Sequence, residues 1–184
     1  MSHFADTTPR PAHGARMEKT EAEKWRLILT RDLRHAPEKV WQALTDPDQI
    51  REWAPFEVKG DLTRAGNQVE LTWVGTGHVT KATVTRAEPA RALEFHDIRW
   101  ELEANALGTR LTLWHDIGPR YICWGAAGWH ICFDILNHLL GGRPIGRIAG
   151  ADAMRHAEWQ RLCAEYATLF SLEPEKNQSF GKPR

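Results

Sequence analysis

The sequence predicts a single α+β domain in which an antiparallel sheet packs on a long helix toward the C-terminus. Three observations predict it. Short alternating apolar runs separated by turn residues extend from Phe56 to Ile117, and after Pro119 the apolar period changes from two to about 3.6. The 184 residues are 42% hydrophobic, which suits one core and leaves little room for a second domain.

Residues 1–23 combine Thr7, Thr8, Pro9, Pro11 and Gly14 with several charges and almost no apolar periodicity. Such a segment cannot offset its ordering entropy, so a mobile tail is expected there. Trp25, Leu27 and Leu29 alternate with Arg26, Ile28 and Thr30 and run on to Leu33, which reads as a strand with one buried face. Ala36-Pro37-Glu38 starts a helix: proline lacks an N–H that would have no partner there, and an acid suits the positive end. Its apolar stripe is Val40, Trp41 and Leu44. Asp46-Pro47-Asp48 repeats the signal for a shorter helix presenting Ile50 and Trp53, and Pro55 ends it.

The meander is punctuated at Gly60-Asp61, Gly66-Asn67, Gly75 to Gly77, Glu88-Pro89, His96-Asp97 and Asn105 to Gly108. Val69, Leu71 and Trp73 share one phase, as do Leu93 with Phe95, Trp100 with Leu102, and Leu111, Leu113 and His115. One sheet face is therefore expected to be buried. Trp129, Cys132, Phe133, Leu136 and Leu140 fall on one side of a helix that Gly141-Gly142 ends. A last helix over 151–170 shows Trp159, Leu162, Cys163, Tyr166 and Phe170 at helical spacing, and residues 172–184 read as a second flexible tail. The domain is thus expected to span 24–171.

Composition narrows the function classes. Lysine plus arginine number 24 and aspartate plus glutamate 24, so no net field favours nucleic acid or an anionic membrane. Three cysteines, Cys123, Cys132 and Cys163, without a paired framework or a secretory leader, suggest a reducing cytoplasm. The apolar stretch from Tyr121 to Leu140 is interrupted by His130, Asp134, Asn137 and His138, which argues against a membrane span. No nucleophile elbow, phosphate loop or H-E-x-x-H helix is present, so no cofactor and no catalytic motif is expected. His130, Asp134 and His138 recur every four residues, but the outer pair is separated by ~12 Å along a helix, too far for one metal ion. No metal site is expected, and these residues read as a solvated face.

The stretch Arg31 to Phe56, RDLRHAPEKVWQALTDPDQIREWAPF, resembles the opening of the homologues of the heat-shock protein 90 ATPase activator, within the START-like (SRPBCC) superfamily. Gly108 to Leu113, GTRLTL, and Gly128 to Gly142, GWHICFDILNHLLGG, resemble that family's last strand and long helix. The resemblance implies a helix-grip fold: a curved antiparallel sheet wrapped around the long helix, with a cavity between them for apolar or amphipathic ligands. It brings no universal catalytic set, and it implies that Trp41, Trp53, Gly128 and Trp129 are first of all fold determinants.

Pockets are mostly apolar with a few polar groups. On that ground the expected ligand-binding set is Trp53, Phe56, Trp73, Phe95, Trp100, His115, Trp129 and Phe133, with core packing as the competing reading of each aromatic. His115, on the inward phase, is the only candidate for acid–base work. Three functions remain: binding of a hydrophobic small molecule, a cyclase- or dehydratase-like enzyme using His115, and a co-chaperone acting on the heat-shock ATPase. The first leads. The third ranks last, because one domain leaves no space for a separate chaperone-binding module.

Overall fold

The computed structural model describes residues 11–21 and 24–172, so residues 173–184 of the expected C-terminal tail lie outside the described part. Eight antiparallel strands form one sheet: β1 (Ala15–Lys19), β2 (Trp25–Leu33), β3 (Phe56–Lys59), β4 (Gln68–Trp73), β5 (Val79–Glu88), β6 (Ala92–Phe95), β7 (Ile98–Asn105) and β8 (Gly108–Asp116). Their order is β1-β2-β8-β7-β6-β5-β4-β3. The chain enters near one edge, crosses by way of two helices to the other, and winds back strand by strand to pair β8 with β2. Helices α1 (Pro37–Thr45) and α2 (Pro47–Trp53) make that crossing. Asp46 caps α2, its Oδ1 accepting from the Asp48 N–H at 3.0 Å.

The sheet curls. Between Val84 and Arg86 the register of β5 against β6 slips by one residue, and such a bulge bends its strand and raises the local twist. The concave face carries Leu27, Leu29, Leu71, Leu93, Leu111 and Leu113, all fully buried. Against it lies α3 (Ile122–Leu140), entered through a 3-10 turn at Pro119–Tyr121. This is the helix-grip arrangement. Among the described residues no helix is long and apolar enough to cross a membrane.

Three expectations are corrected. Within the stretch read as a mobile tail, residues 15–19 form β1 and pair with β2 from Ala15↔Leu29 to Lys19↔Trp25. An edge strand is held by backbone bonds to its neighbour, so it does not need the apolar alternation that the reading relied on; Ala15 and Met17 pack on the core while Arg16 and Glu18 face outward. The single last helix is two, α4 (Gly150–Arg155) and α5 (Ala157–Leu169), separated at His156, whose ψ of 134° is extended. No glycine or proline marks that break. Finally, α3 has no solvated face over His130, which is completely buried, because α5 covers the side of α3 turned away from the sheet.

Candidate functional site

The space between β7 and α3 is filled. Trp100 meets Trp129 edge-on at 5.4 Å between ring centroids, lies 5.9 Å from Phe133, and meets Trp53 at 5.9 Å on its other side. Phe56 wedges edge-on between Phe95 and Trp129 at 5.9 and 6.3 Å. Edge-to-face geometry of this kind leaves no room for a guest. Trp53 uses its one polar atom internally, donating from Nε1 to the Ala43 carbonyl at 3.0 Å, which ties α2 to α1. Trp53, Phe56, Phe95, Trp100 and Phe133 are at most 2% exposed and are core, correcting the expectation that they line a pocket.

The opening lies further along α3. A cavity of about 200 Å³ is bounded by Trp73 at the end of β4, His115 near the end of β8, and Trp124, Gly125, Gly128, Trp129 and Cys132 along one side of α3. Pro55 closes one flank, and Ala149, Gly150, Ala153, Met154 and Trp159 roof it from the segment after Gly142. Of the eight expected residues, the structure brings three to this cavity: Trp73, His115 and Trp129. Gly128 decides its depth, because a Cβ built there meets nothing within 4 Å. The roof is seated by a close approach of Gly75 and Gly150: a Cβ on Gly75 would fall 2.9 Å from the Ala151 nitrogen, and one on Gly150 would collide with the Val74 carbonyl. Both glycines have positive φ, 88° and 61°, which a side chain would make costly.

His115 is the polar group of the cavity. Trp129 donates from Nε1 to His115 Nδ1 at 3.0 Å, so Nδ1 carries a lone pair and the neutral ring has its proton on Nε2. The ring also stacks on Trp73, with centroids 6.5 Å apart and planes inclined by 10°. Desolvation pushes its pKa down to about 4, an effect that His96 reinforces and that Asp97 and Asp116 oppose without reversing. At neutral pH the imidazole is therefore uncharged and a donor through its Nε2–H.

Residues 34–141, more than half of the chain, match the family described as Activator of Hsp90 ATPase homolog 1-like protein. The chain belongs to this family. Among solved structures, the chain resembles CalU16 from Micromonospora echinospora at 25% identity and a TM-score of 0.63, over 84% of this chain and 94% of that one. MLL2253 from Mesorhizobium loti is 24% identical, with a TM-score of 0.56 over 64% of this chain and 97% of that one. DynU16, from the dynemicin biosynthetic locus, is 21% identical with a TM-score of 0.57, over 66% of this chain and 49% of that one. None of the curated proteins compared matches the chain.

In this Activator of Hsp90 ATPase homolog 1-like chain, sequence reasoning missed Pro55, Trp124, Met154 and Trp159 as cavity residues. For Trp159 a signal existed. It was read as the first position of a core stripe, but its face is shared: Leu162 and Tyr166 enter the core, whereas Trp159, one turn earlier, overhangs Trp124 at 6.1 Å. The family match ends at residue 141, so the roof of the cavity comes from a segment outside it.

The buried imidazole of α3, His130, lies outside the cavity lining. His130 Nδ1 lies 2.8 Å from the Tyr166 hydroxyl, which donates to the His13 carbonyl at 3.0 Å, and His130 Nε2 is 3.5 Å from Asp134. Arg31 reaches His13 Nε2 at 2.5 Å and Asp134 at 3.8 Å. This network joins β2, α3, α5 and the segment before β1. Among the described residues no group of three or more side chains could hold a metal ion.

Proposed function

We propose that the protein binds a small, largely apolar molecule carrying a hydrogen-bond acceptor, held between Trp73, Trp129 and Trp159 with the acceptor on His115 Nε2. The observation that carries this reading is the Nε2–H of a neutral histidine, fixed in one tautomer by Trp129, in an otherwise apolar cavity. Size bounds the ligand. A dry cavity of ~150 Å³ accepts benzene, so about 200 Å³ suits one or two small rings. Members of this family bind small molecules or act in biosynthesis. The fold shared with DynU16, whose locus serves biosynthesis, agrees with a small organic ligand.

A proton-transfer enzyme is supported less well. General bases work best with a pKa near the operating pH, and a histidine at about 4 is a weak base at neutrality. The role named in the family's description, activation of a chaperone ATPase, would act through a surface and is tested by that ATPase rate with and without this protein.

Titration with acetophenone and with ethylbenzene, followed by calorimetry, tests the main reading. The ketone should bind more tightly by roughly 2- to 10-fold, the worth of one hydrogen bond, and His115→Phe should abolish the difference. Equal affinities for the two probes in the native protein, or no binding of either, would remove His115 as the recognition group.

A further inference from the structure

We propose that Cys123 and Cys163 form an oxidisable dithiol whose disulfide bolts α5 onto the first turn of α3. The residues are 40 positions apart in sequence, yet Cys163 Sγ–H donates to Cys123 Sγ at 3.1 Å. A disulfide needs about 2.05 Å, so the sulfurs have to close by roughly 1 Å. Both side chains are half-buried, within reach of a small oxidant. Odd cysteine counts gave no sign of this pairing in the sequence; only the packing of α5 on α3 creates it.

The two sulfurs have distinct parts. Cys123 is the second residue of a 19-residue helix, where the backbone N–H groups favour a negative charge. The Cys163 thiol, hydrogen-bonded to Cys123 and partly desolvated, is pushed well above its ordinary pKa and keeps its proton. In this proposal Cys123, whose sulfur accepts the Cys163 S–H, is the attacking sulfur. With hydrogen peroxide as oxidant, the Cys123 sulfur gives up its proton and takes one hydroxyl of the peroxide, the O–O bond breaks, and the hydroxide released takes up that proton to leave as water. The sulfenic acid so formed is attacked by the Cys163 sulfur; the S–O bond breaks, and the Cys163 proton leaves with the hydroxyl as a second water. Two thiols lose two electrons and two protons, and one peroxide becomes two waters. Cys132 does not compete, since it is buried and desolvation raises its thiol to about 12.

The consequence is mechanical. Trp124 follows Cys123, and Trp159 lies one turn before Cys163, so the bond would fix the two indoles that form one wall of the cavity. Treatment of the purified protein with hydrogen peroxide, then alkylation and peptide mapping, tests the idea without any ligand, so it stands or fails apart from the binding proposal. The expected result is a loss of two hydrogens from the intact mass, one alkylatable cysteine instead of three, a Cys123–Cys163 cross-linked peptide, and a thermal midpoint raised by roughly 10 °C. In Cys163→Ser, Cys123 should instead stop at a dimedone-reactive sulfenic acid. Three alkylated cysteines after treatment, a cross-link through Cys132, dimers as the main product, or a disulfide with no rise in thermal midpoint would each overturn the proposal.

Discussion

His115 shows how one side chain acquires a chemistry its type does not specify. Its inward phase was legible, because Leu111 and Leu113 precede it at two-residue spacing on β8. Its tautomer was not, since that depends on Trp129 Nε1, fourteen residues away on another element. An NMR titration of the ring should find a midpoint near pH 4 rather than the ordinary ~6.5. The linked effect on stability has a definite sign. The lowered folded-state pKa means that the unfolded chain takes up the proton first, so His115's contribution is complete above about pH 6.5 and is lost on acidification toward pH 4. The loss is about 1.4 kcal/mol per pH unit across that window. In His115→Phe, urea unfolding should lack this component; an unchanged pH dependence would show that His115 does not supply it.

Helix α3 was legible as an element and misread as a surface. The stripe Trp129, Cys132, Phe133, Leu136 and Leu140 does face the sheet, and every one of these residues is buried. On the other side, however, His130 meets Tyr166 of α5 and His13 before β1 rather than water, whereas Asp134 and His138 stay partly exposed. Polarity alone could not separate those cases, because a satisfied buried histidine and a solvated one look the same in sequence. Tyr166 is the test of that contact. Tyr166→Phe removes a hydroxyl bonded to His130 Nδ1 and to the His13 carbonyl, and should lower stability by about 1–3 kcal/mol in urea unfolding. Gly128, on the cavity side of α3, should behave oppositely. With open space at its Cβ, Gly128→Ala should gain roughly 0.5–1 kcal/mol from helix propensity. Gly128→Leu should keep the fold and fill the cavity, so that acetophenone no longer binds; retained binding would place the ligand elsewhere.

At the scale of the whole molecule, the order of strand, two helices, meander and long helix could be read from alternation and turn residues, whereas β1 and the break between α4 and α5 carried no such signal. The closing of the sheet by β8 on β2 is a long-range pairing with no local signature. So is the docking of the segment after Gly142, which depends on the close approach of Gly75 and Gly150, 75 positions apart in the chain. Gly150→Ala would force a side chain into positive φ and against the Val74 carbonyl, at a cost of at least about 2 kcal/mol. Hydrogen exchange should then quicken in α4 first and leave the central strands protected.

That roof places four of the chain's nine tryptophans, Trp73, Trp124, Trp129 and Trp159, around an opening of about 200 Å³. A molecule entering there changes the surroundings of several indoles at once, so the protein carries its own optical gauge of occupancy. Ultraviolet emission should shift in colour and intensity on filling, with no dye attached, and Trp159→Phe should dim the response without silencing it.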